Sequence, residues 1–147
     1  MVHRDIKPLN VLLDKKSKVS PKAVIADLGI SFKLRGPFDK SQWRIGSDGF
    51  IAPEVSFGDP YRTDCDVFSL GCILHWLLTG KCPFWDENVK LRSQALMEKQ
   101  LDLKDEKLYG VTDTCKDLMR KMLMKNPSER INIKGVIEHR WLKGYEP

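Results

Sequence analysis

Apolar positions in this chain are grouped, and the period within each group points to a different element. Val11-Leu12-Leu13 and Ala23-Val24-Ile25 are continuous runs too short for helices, and the residues from 14 to 22 between them include two Ser, one Pro and four Lys. This predicts a β-hairpin with a polar loop. Residues 30–51 show no sustained period of either kind and carry Gly36-Pro37, Gly46 and Gly49, so they read as a long mobile loop. From Val67 to Leu78 apolar side chains cover nearly every face of a helix, the mark of an element buried all round, and Gly80 supplies its stop. Pro83-Phe84-Trp85 forms an apolar knot, and Asn88 to Lys99 reads as an amphipathic helix. Thr112 is a good N-cap for a helix running through Lys125, in which Cys115, Leu118, Met119, Met122 and Leu123 follow i, i+3, i+4, i+7, i+8. That methionine-bearing stripe reads as core rather than as a binding groove. A last helix, about Ile133 to Leu142, closes with Trp141, while His75 and His139 read as structural or surface residues. The fold class is α+β, mainly α: a short hairpin, a long loop, then a helical bundle around a buried central helix.

Composition narrows the class without changing that picture. A chain of 147 residues is one domain at most, and 41% hydrophobic with 31% charged residues is a globular balance. The longest weakly polar run, Val67 to Leu78, is 12 residues, too short to span a bilayer, and the N-terminus lacks a signal-peptide pattern, so no membrane partner is expected. Cys65, Cys72, Cys82 and Cys115 show no C-x-x-C pairing and no His at zinc-ligand spacing. They read as ordinary buried thiols, and the expected compartment is reducing, cytoplasmic or nuclear. The formal net charge of +5 comes from scattered Lys and Arg, with small groups such as Lys15-Lys16 and no basic stripe interleaved with aromatics. Nucleic acid is not an expected partner; acidic or phosphorylated partners fit better.

The chemistry sits at the start of the chain, in His3-Arg4-Asp5-Ile6-Lys7-Pro8-Leu9-Asn10. Eight residues hold one acid able to work on a hydroxyl proton, two fixed cations, a carboxamide able to ligate a hard metal and one imidazole, a mixture suited to chemistry on a phosphate. The run satisfies H-R-D-x-K-x-x-N, and five fixed positions at about one in twenty each should recur by chance on the order of once in 10⁴ chains of this length. A plain polar surface loop is therefore the poorer reading. The second apolar run ends in Ala26-Asp27-Leu28-Gly29. An Asp-x-Gly turn alone would signify little, but a hairpin joins it to Asn10. It reads as an acid at the end of a buried strand, with Asp27 and Asn10 as oxygen ligands for Mg²⁺.

The opening run resembles the catalytic loop of protein kinases, and further motifs follow in that family's order. Asp27-Leu28-Gly29 resembles D-F-G with leucine for phenylalanine. Gly46-Ser47-Asp48-Gly49-Phe50-Ile51-Ala52-Pro53-Glu54 resembles the end of an activation segment, with serine for the usual threonine and phenylalanine for the usual tyrosine. Asp66 matches the acid that starts the central helix and bonds the catalytic-loop backbone; the first-turn acid that complements a helix dipole is an equally good reading of it. Asn126-Pro127-Ser128-Glu129-Arg130 resembles D-P-x-x-R.

The resemblance implies a role for each position. Asp5 would take the substrate hydroxyl's proton, Lys7 would contact the transferring phosphate, and Ser47 would bond both. Asn10 and Asp27 would hold Mg²⁺ for ATP, and Glu54 would pair with Arg130 in a buried ion pair. Arg4 resembles an arginine that pairs with a phosphate on the activation loop, for which Ser41 is the best-placed local acceptor; His3 belongs with these structural and regulatory positions. Lysine two residues after the catalytic acid implies a Ser/Thr enzyme with protein substrates. In the family the glycine-rich loop, the phosphate-holding lysine and the adenine-reading hinge precede the catalytic loop, where this sequence has only Met1 and Val2. The expectation is a partial kinase domain over residues 1–147, the C-terminal lobe without its N-terminal partner lobe. Alone it should expose a strip of its central helix, bind hydrophobic dyes, associate, and transfer no phosphate. Two functions are carried forward: the catalytic lobe of a Ser/Thr protein kinase, and a non-catalytic interaction or scaffold fragment.

Overall fold

A computed structural model describes residues 1–14, 21–36 and 39–144. Strands β1 (Val11–Asp14) and β2 (Lys22–Ile25) pair antiparallel in the register Val11 to Ile25, Leu12 to Val24, Leu13 to Ala23 and Asp14 to Lys22. Most of the polar loop expected between them, residues 15–20, lies outside the described residues, as does Pro37 of the Gly36-Pro37 pair. The hairpin corrects one expectation, because β2 is not a buried strand: Leu12, Leu13, Val24 and Ile25 are each about half exposed. Among the described residues neither strand packs extensively on any element but the other.

The described residues of 30–51 form no helix or strand, yet the stretch is pinned at two points. Val2 and Phe32 exchange main-chain hydrogen bonds of 2.7 and 2.8 Å, and Ser41 and Tyr61 do the same at 3.0 and 2.9 Å. It leads into the short helix α1 (Pro53–Phe57), which opens on a proline and ends at Gly58 with φ +77°, a conformation in which glycine is the least strained residue.

The body is built on α2 (Asp64–Thr79), ended by the left-handed Gly80. Val67, Phe68, Cys72 and His75 are buried on it, and Phe68 stacks on Phe84 of the apolar knot at 5.9 Å between ring centroids. Helix α4 (Asp113–Met122) crosses it, with all five residues of its apolar stripe buried. The two contact at glycine: a Cβ on Gly71 would sit 3.0 Å from the side chains of Leu123 and Met122. Burial of α2 is not complete all round. Trp76 and Leu77 are exposed and Leu70, Ile73, Leu74 and Leu78 are half-buried, so one apolar strip reaches water.

Three helices are shorter than their hydrophobic periods suggest. The Asn88 to Lys99 stretch divides into a 3₁₀ turn (Val89–Leu91), capped by the Asn88 side chain, and α3 (Arg92–Glu98). Helix α4 is capped by the Thr112 hydroxyl, as expected, but stops at Met122 rather than Lys125 because the carbonyls of Met124 and Lys125 turn to the Arg130 guanidinium. The last helix, α5 (Ile133–Ile137), ends where His139 Nδ1 accepts the Trp141 amide at 3.3 Å and diverts it from a helical bond. All four cysteines are free thiols, with Cys82 half-buried and the others buried.

Candidate active site

The opening loop is shaped by one carboxylate from the body. Asp66, in the first turn of α2, accepts the main-chain N–H groups of His3 at 2.8 Å and Arg4 at 2.9 Å. Arg4 thereby holds φ +75°, a left-handed conformation that a non-glycine residue adopts only when its surroundings impose it. Burial pushes the Asp66 carboxyl up, and the two amides oppose that shift by favouring its charged form. His3 is buried between the loop and the hairpin. Its Nδ1 accepts the Asp5 amide at 3.3 Å, which leaves Nε2 to donate to the Ala26 carbonyl at 3.0 Å.

Beyond Arg4 a 3₁₀ turn (Pro8–Asn10) folds the loop back on itself, and four side chains converge. Ser47 donates its hydroxyl to Asp5 Oδ1 at 2.7 Å, Lys7 Nζ lies 2.7 Å from Asp5 Oδ2, and Asn10 Nδ2 donates to Oδ2 at 3.1 Å and to the Asp5 carbonyl at 2.8 Å. Lys7 Nζ also donates to Ser47 Oγ at 2.7 Å, closing a triangle across 42 positions of sequence. Partial burial raises the Asp5 carboxyl, but Lys7, Ser47 and Asn10 together outweigh it and hold the group below the ordinary aspartate value. Glycine lets Ser47 come this close: a Cβ on Gly46, at φ +152°, would stand 3.1 Å from the Arg4 carbonyl.

The hairpin delivers Asp27 to the same end of the fold. Ala26 N–H donates to the Asn10 carbonyl at 2.8 Å, extending the β1–β2 pairing by one step and setting Asp27 beside the loop. Asp27 is exposed, adopts φ +64°, and accepts the Gly29 amide at 3.3 Å. Among the described residues no group of three or more His, Cys, Asp or Glu side chains could hold a metal. What the site offers is one carboxylate and one carboxamide oxygen. That set suits Mg²⁺, which keeps waters and is completed by substrate phosphates rather than by an all-protein cage.

Arg4 and Ser41 are brought together, with Arg4 Nη1 3.3 Å from Ser41 Oγ, but Ser41 is buried. Its hydroxyl donates to the Tyr61 phenol at 3.1 Å, and the phenol donates to the Trp43 carbonyl at 2.8 Å. For Ser41 to serve as a phosphate acceptor, the Ser41–Tyr61 main-chain bridge must open before another enzyme reaches that hydroxyl. Arg4 is meanwhile occupied by the Ile30 carbonyl and the face of Phe32.

Farther off, Arg130 meets Glu54 in a two-pronged pair, Nη1 to Oε1 at 2.6 Å and Nη2 to Oε2 at 3.0 Å, both side chains essentially sealed from water. Two supporting residues carried no motif. Tyr61 closes the bridge just described, and Ser69 on α2 donates to the Phe50 carbonyl at 2.7 Å, fixing the segment after Ser47. Ser69 could have been noticed as a hydroxyl inside an otherwise apolar helix; Tyr61 had no signal, because its partner lies 20 residues upstream in an aperiodic stretch.

With this geometry in view, comparison with known proteins is specific. The family model described as "Protein kinase domain" matches residues 1–142. Calcium-dependent protein kinase 21 of Oryza sativa subsp. japonica is 43% identical over 143 residues, covering 97% of this chain and 25% of the relative. The delta subunit of calcium/calmodulin-dependent protein kinase type II from Oryctolagus cuniculus is 38% identical over 144 residues, covering 97% and 26%. Calcium-dependent protein kinase 13 of Arabidopsis thaliana gives the same figures as the rabbit protein. The chain thus spans about a quarter of the length of the curated relatives it matches.

Proposed function

The chain belongs to the protein kinase domain family, and from that premise we propose that residues 3–10 are a catalytic loop and residues 27–54 an activation segment. In the full-length protein they would transfer the γ-phosphoryl group of ATP to a Ser or Thr hydroxyl of a protein substrate. The observation that carries this reading is the convergence of Lys7, Ser47 and Asn10 on the Asp5 carboxylate. An ionised carboxylate offers about four lone-pair sites, and these three donors occupy three, leaving one for an incoming hydroxyl.

In the reaction the acceptor oxygen bonds to the γ-phosphorus, the bond from phosphorus to the β–γ bridging oxygen breaks, ADP leaves, and the hydroxyl proton passes late to Asp5. Such assistance is worth about 10²–10⁴-fold. The lowered Asp5 pKa keeps the carboxylate ionised at neutral pH and so ready to accept. Lys7 stands beside it as a cation for the transferring phosphoryl oxygens, and Ser47 ties the segment that would present the substrate to the loop that performs the chemistry. Asn10 and Asp27 are the residues that would hold Mg²⁺, which supplies charge neutralisation to the ATP phosphates when bound.

A second reading, a non-catalytic module that binds other proteins, is favoured by the exposed apolar side chains of the hairpin and α2. The two separate in one assay. The full-length protein, incubated with radiolabelled ATP and a mixed Ser/Thr peptide pool, is expected to label peptides in Mg²⁺, to stop with chelator, and to need far more Mg²⁺ after Asp27→Asn. A protein that labels nothing in Mg²⁺ or Mn²⁺ while remaining folded would support the binding module instead.

A further inference from the structure

Away from the Asp5 cluster, a cleft of ≈ 450 Å³ opens between Phe84 of the apolar knot, the stretch from Gln100 to Leu103 that follows α3, and the end of α4. Its volume falls in the range of ligand-binding clefts, about 300–1,000 Å³. Apolar side chains make up half of its lining residues: Phe84, Leu101, Leu103, Leu123 and Met124. One wall is fixed from behind, because Arg130, paired with Glu54, also donates to the main-chain carbonyls of Met124 at 2.8 Å and Lys125 at 3.1 Å. The cleft is therefore preformed.

Its charged groups are unevenly satisfied. Lys125 donates its ammonium to the carbonyls of Met97, at 2.7 Å, and of Lys99, beside the end of α3, and lies 4.7 Å from the centre of the Phe84 ring. Two of its three N–H donors are spent, and among the described residues it has no ion pair. Burial pushes its amine below the usual lysine value, with the charge of Glu98 opposing, so this cation lacks full compensation where it stands. Arg120, the second lining cation, is exposed and meets Asp117 Oδ1 only at 3.9 Å, while Asp117 is already engaged by Lys121 at 2.8 Å and His139 at 3.1 Å. The one carboxylate of the lining, Glu129, accepts the Asn126 side-chain amide at 3.2 Å. An apolar floor with two under-paired cations and one partnered acid favours an anion that carries an apolar body.

We propose that this cleft binds a small amphipathic carboxylate, a fatty acid or an aromatic acid, whose apolar body lies on Phe84 and Leu103 and whose carboxylate is taken by Lys125 and Arg120. Lys125 contributes the N–H that its two carbonyl partners leave over, a charge-assisted bond of the stronger kind. The proposal does not depend on the kinase reading. None of these residues belongs to the Asp5 cluster, and the readout is binding rather than phosphate transfer.

The test is calorimetric titration of the full-length protein with decanoate and with naphthalene-2-carboxylate, each beside its uncharged carboxamide. At least one acid is expected to bind about tenfold more tightly than its carboxamide, and the tighter of the two acids distinguishes a chain from a ring. Lys125→Met should weaken that acid about tenfold and leave the carboxamide unchanged, while Lys125→Arg restores most of the difference. Arg120→Gln, at an exposed position where the fold tolerates exchange, should cost about threefold. Leu103→Trp, which fills the cleft, should abolish binding of both forms. If Lys125→Met does not fold, Arg120→Gln and Leu103→Trp decide the question by themselves. Equal affinity for acid and carboxamide, acid binding untouched by Arg120→Gln and Leu103→Trp, or no binding of either acid at millimolar concentration would overturn the proposal.

Discussion

Two carboxylates in this molecule are each joined to a cation by a family motif, and they end in opposite conditions. Glu54 and Arg130 are sealed, with side-chain exposures of 4% and 0%. The five guanidinium N–H bonds go to the two Glu54 oxygens and the carbonyls of Asp64, Met124 and Lys125, and the plane lies over the Phe68 ring at 5.0 Å. Every guanidinium donor there is spent and both side chains are closed to water, so no ligand can reach the pair. Asp5 and Lys7 keep 11% and 23% exposure, and Asp5 retains an acceptor site toward solvent. A carboxylate–cation pair is thus a fastener where it is sealed and every donor is spent, and a candidate reaction centre where it is partly open and the carboxylate keeps an acceptor site. Motif recognition alone does not separate the two; exposure does.

The largest expected effect comes from breaking the sealed pair. Removing one partner strands a buried charge, so Arg130→Ala should cost about 3–5 kcal/mol of stability and lower the melting temperature sharply, even if the remaining folded protein binds ATP normally. Arg130→Lys should recover little of this, because an ammonium cannot supply the forked geometry. A melting temperature unchanged by Arg130→Ala would erase the contrast between the two sites.

Ser47→Ala sharpens the comparison from the other side. It removes two charge-assisted hydrogen bonds in a partly open setting, with an expected stability loss of about 1–3 kcal/mol, smaller than that of Arg130→Ala, and a disproportionate fall in kcat. Equal damage to stability and turnover would mean that Ser47 only fastens the loop. Ser47→Thr keeps the hydroxyl and should retain activity.

The smallest effect concerns the body that carries both sites. Burial holds His75 below the usual histidine value of 6.5, so the folded state favours its neutral form, with Nδ1 against the Lys81 carbonyl at 2.8 Å. A depressed folded pKa contributes stability that is present above the unfolded value and is lost as pH falls below 6.5. The slope from this one group is at most about 1.4 kcal/mol per pH unit. Denaturant melts between pH 7.5 and 5.5 should show stability declining toward acid, and His75→Gln should flatten the decline.

Much of this architecture could be read from residue order. The hairpin, the apolar stripe of α4 and the Thr112 cap follow from period and capping chemistry, which are local. The juxtaposition of Asp5, Lys7, Ser47 and Asn10 is legible only through the resemblance to a family pattern, because nothing in the spacing of Ser47 shows that it returns to Asp5. Exposure was the least legible property. Apolar β2 reads as a buried strand and is exposed, and nothing in the sequence marks Ser41 as buried, since burial depends on what else folds over a residue. Helix ends failed for a related reason, as Arg130 and His139 capture groups that periodicity alone would assign to one more helical turn.

The claim that Asp5 is the working carboxylate and Glu54 the structural one is tested most directly by Asp5→Asn in the full-length protein, with kcat and melting temperature measured on the same preparation. The exchange keeps size and most hydrogen bonding but cannot accept the proton. A fall in kcat of two or more orders of magnitude, with ATP KM and melting temperature little changed, is expected. Turnover equal to that of the unsubstituted protein would remove Asp5 from the chemistry.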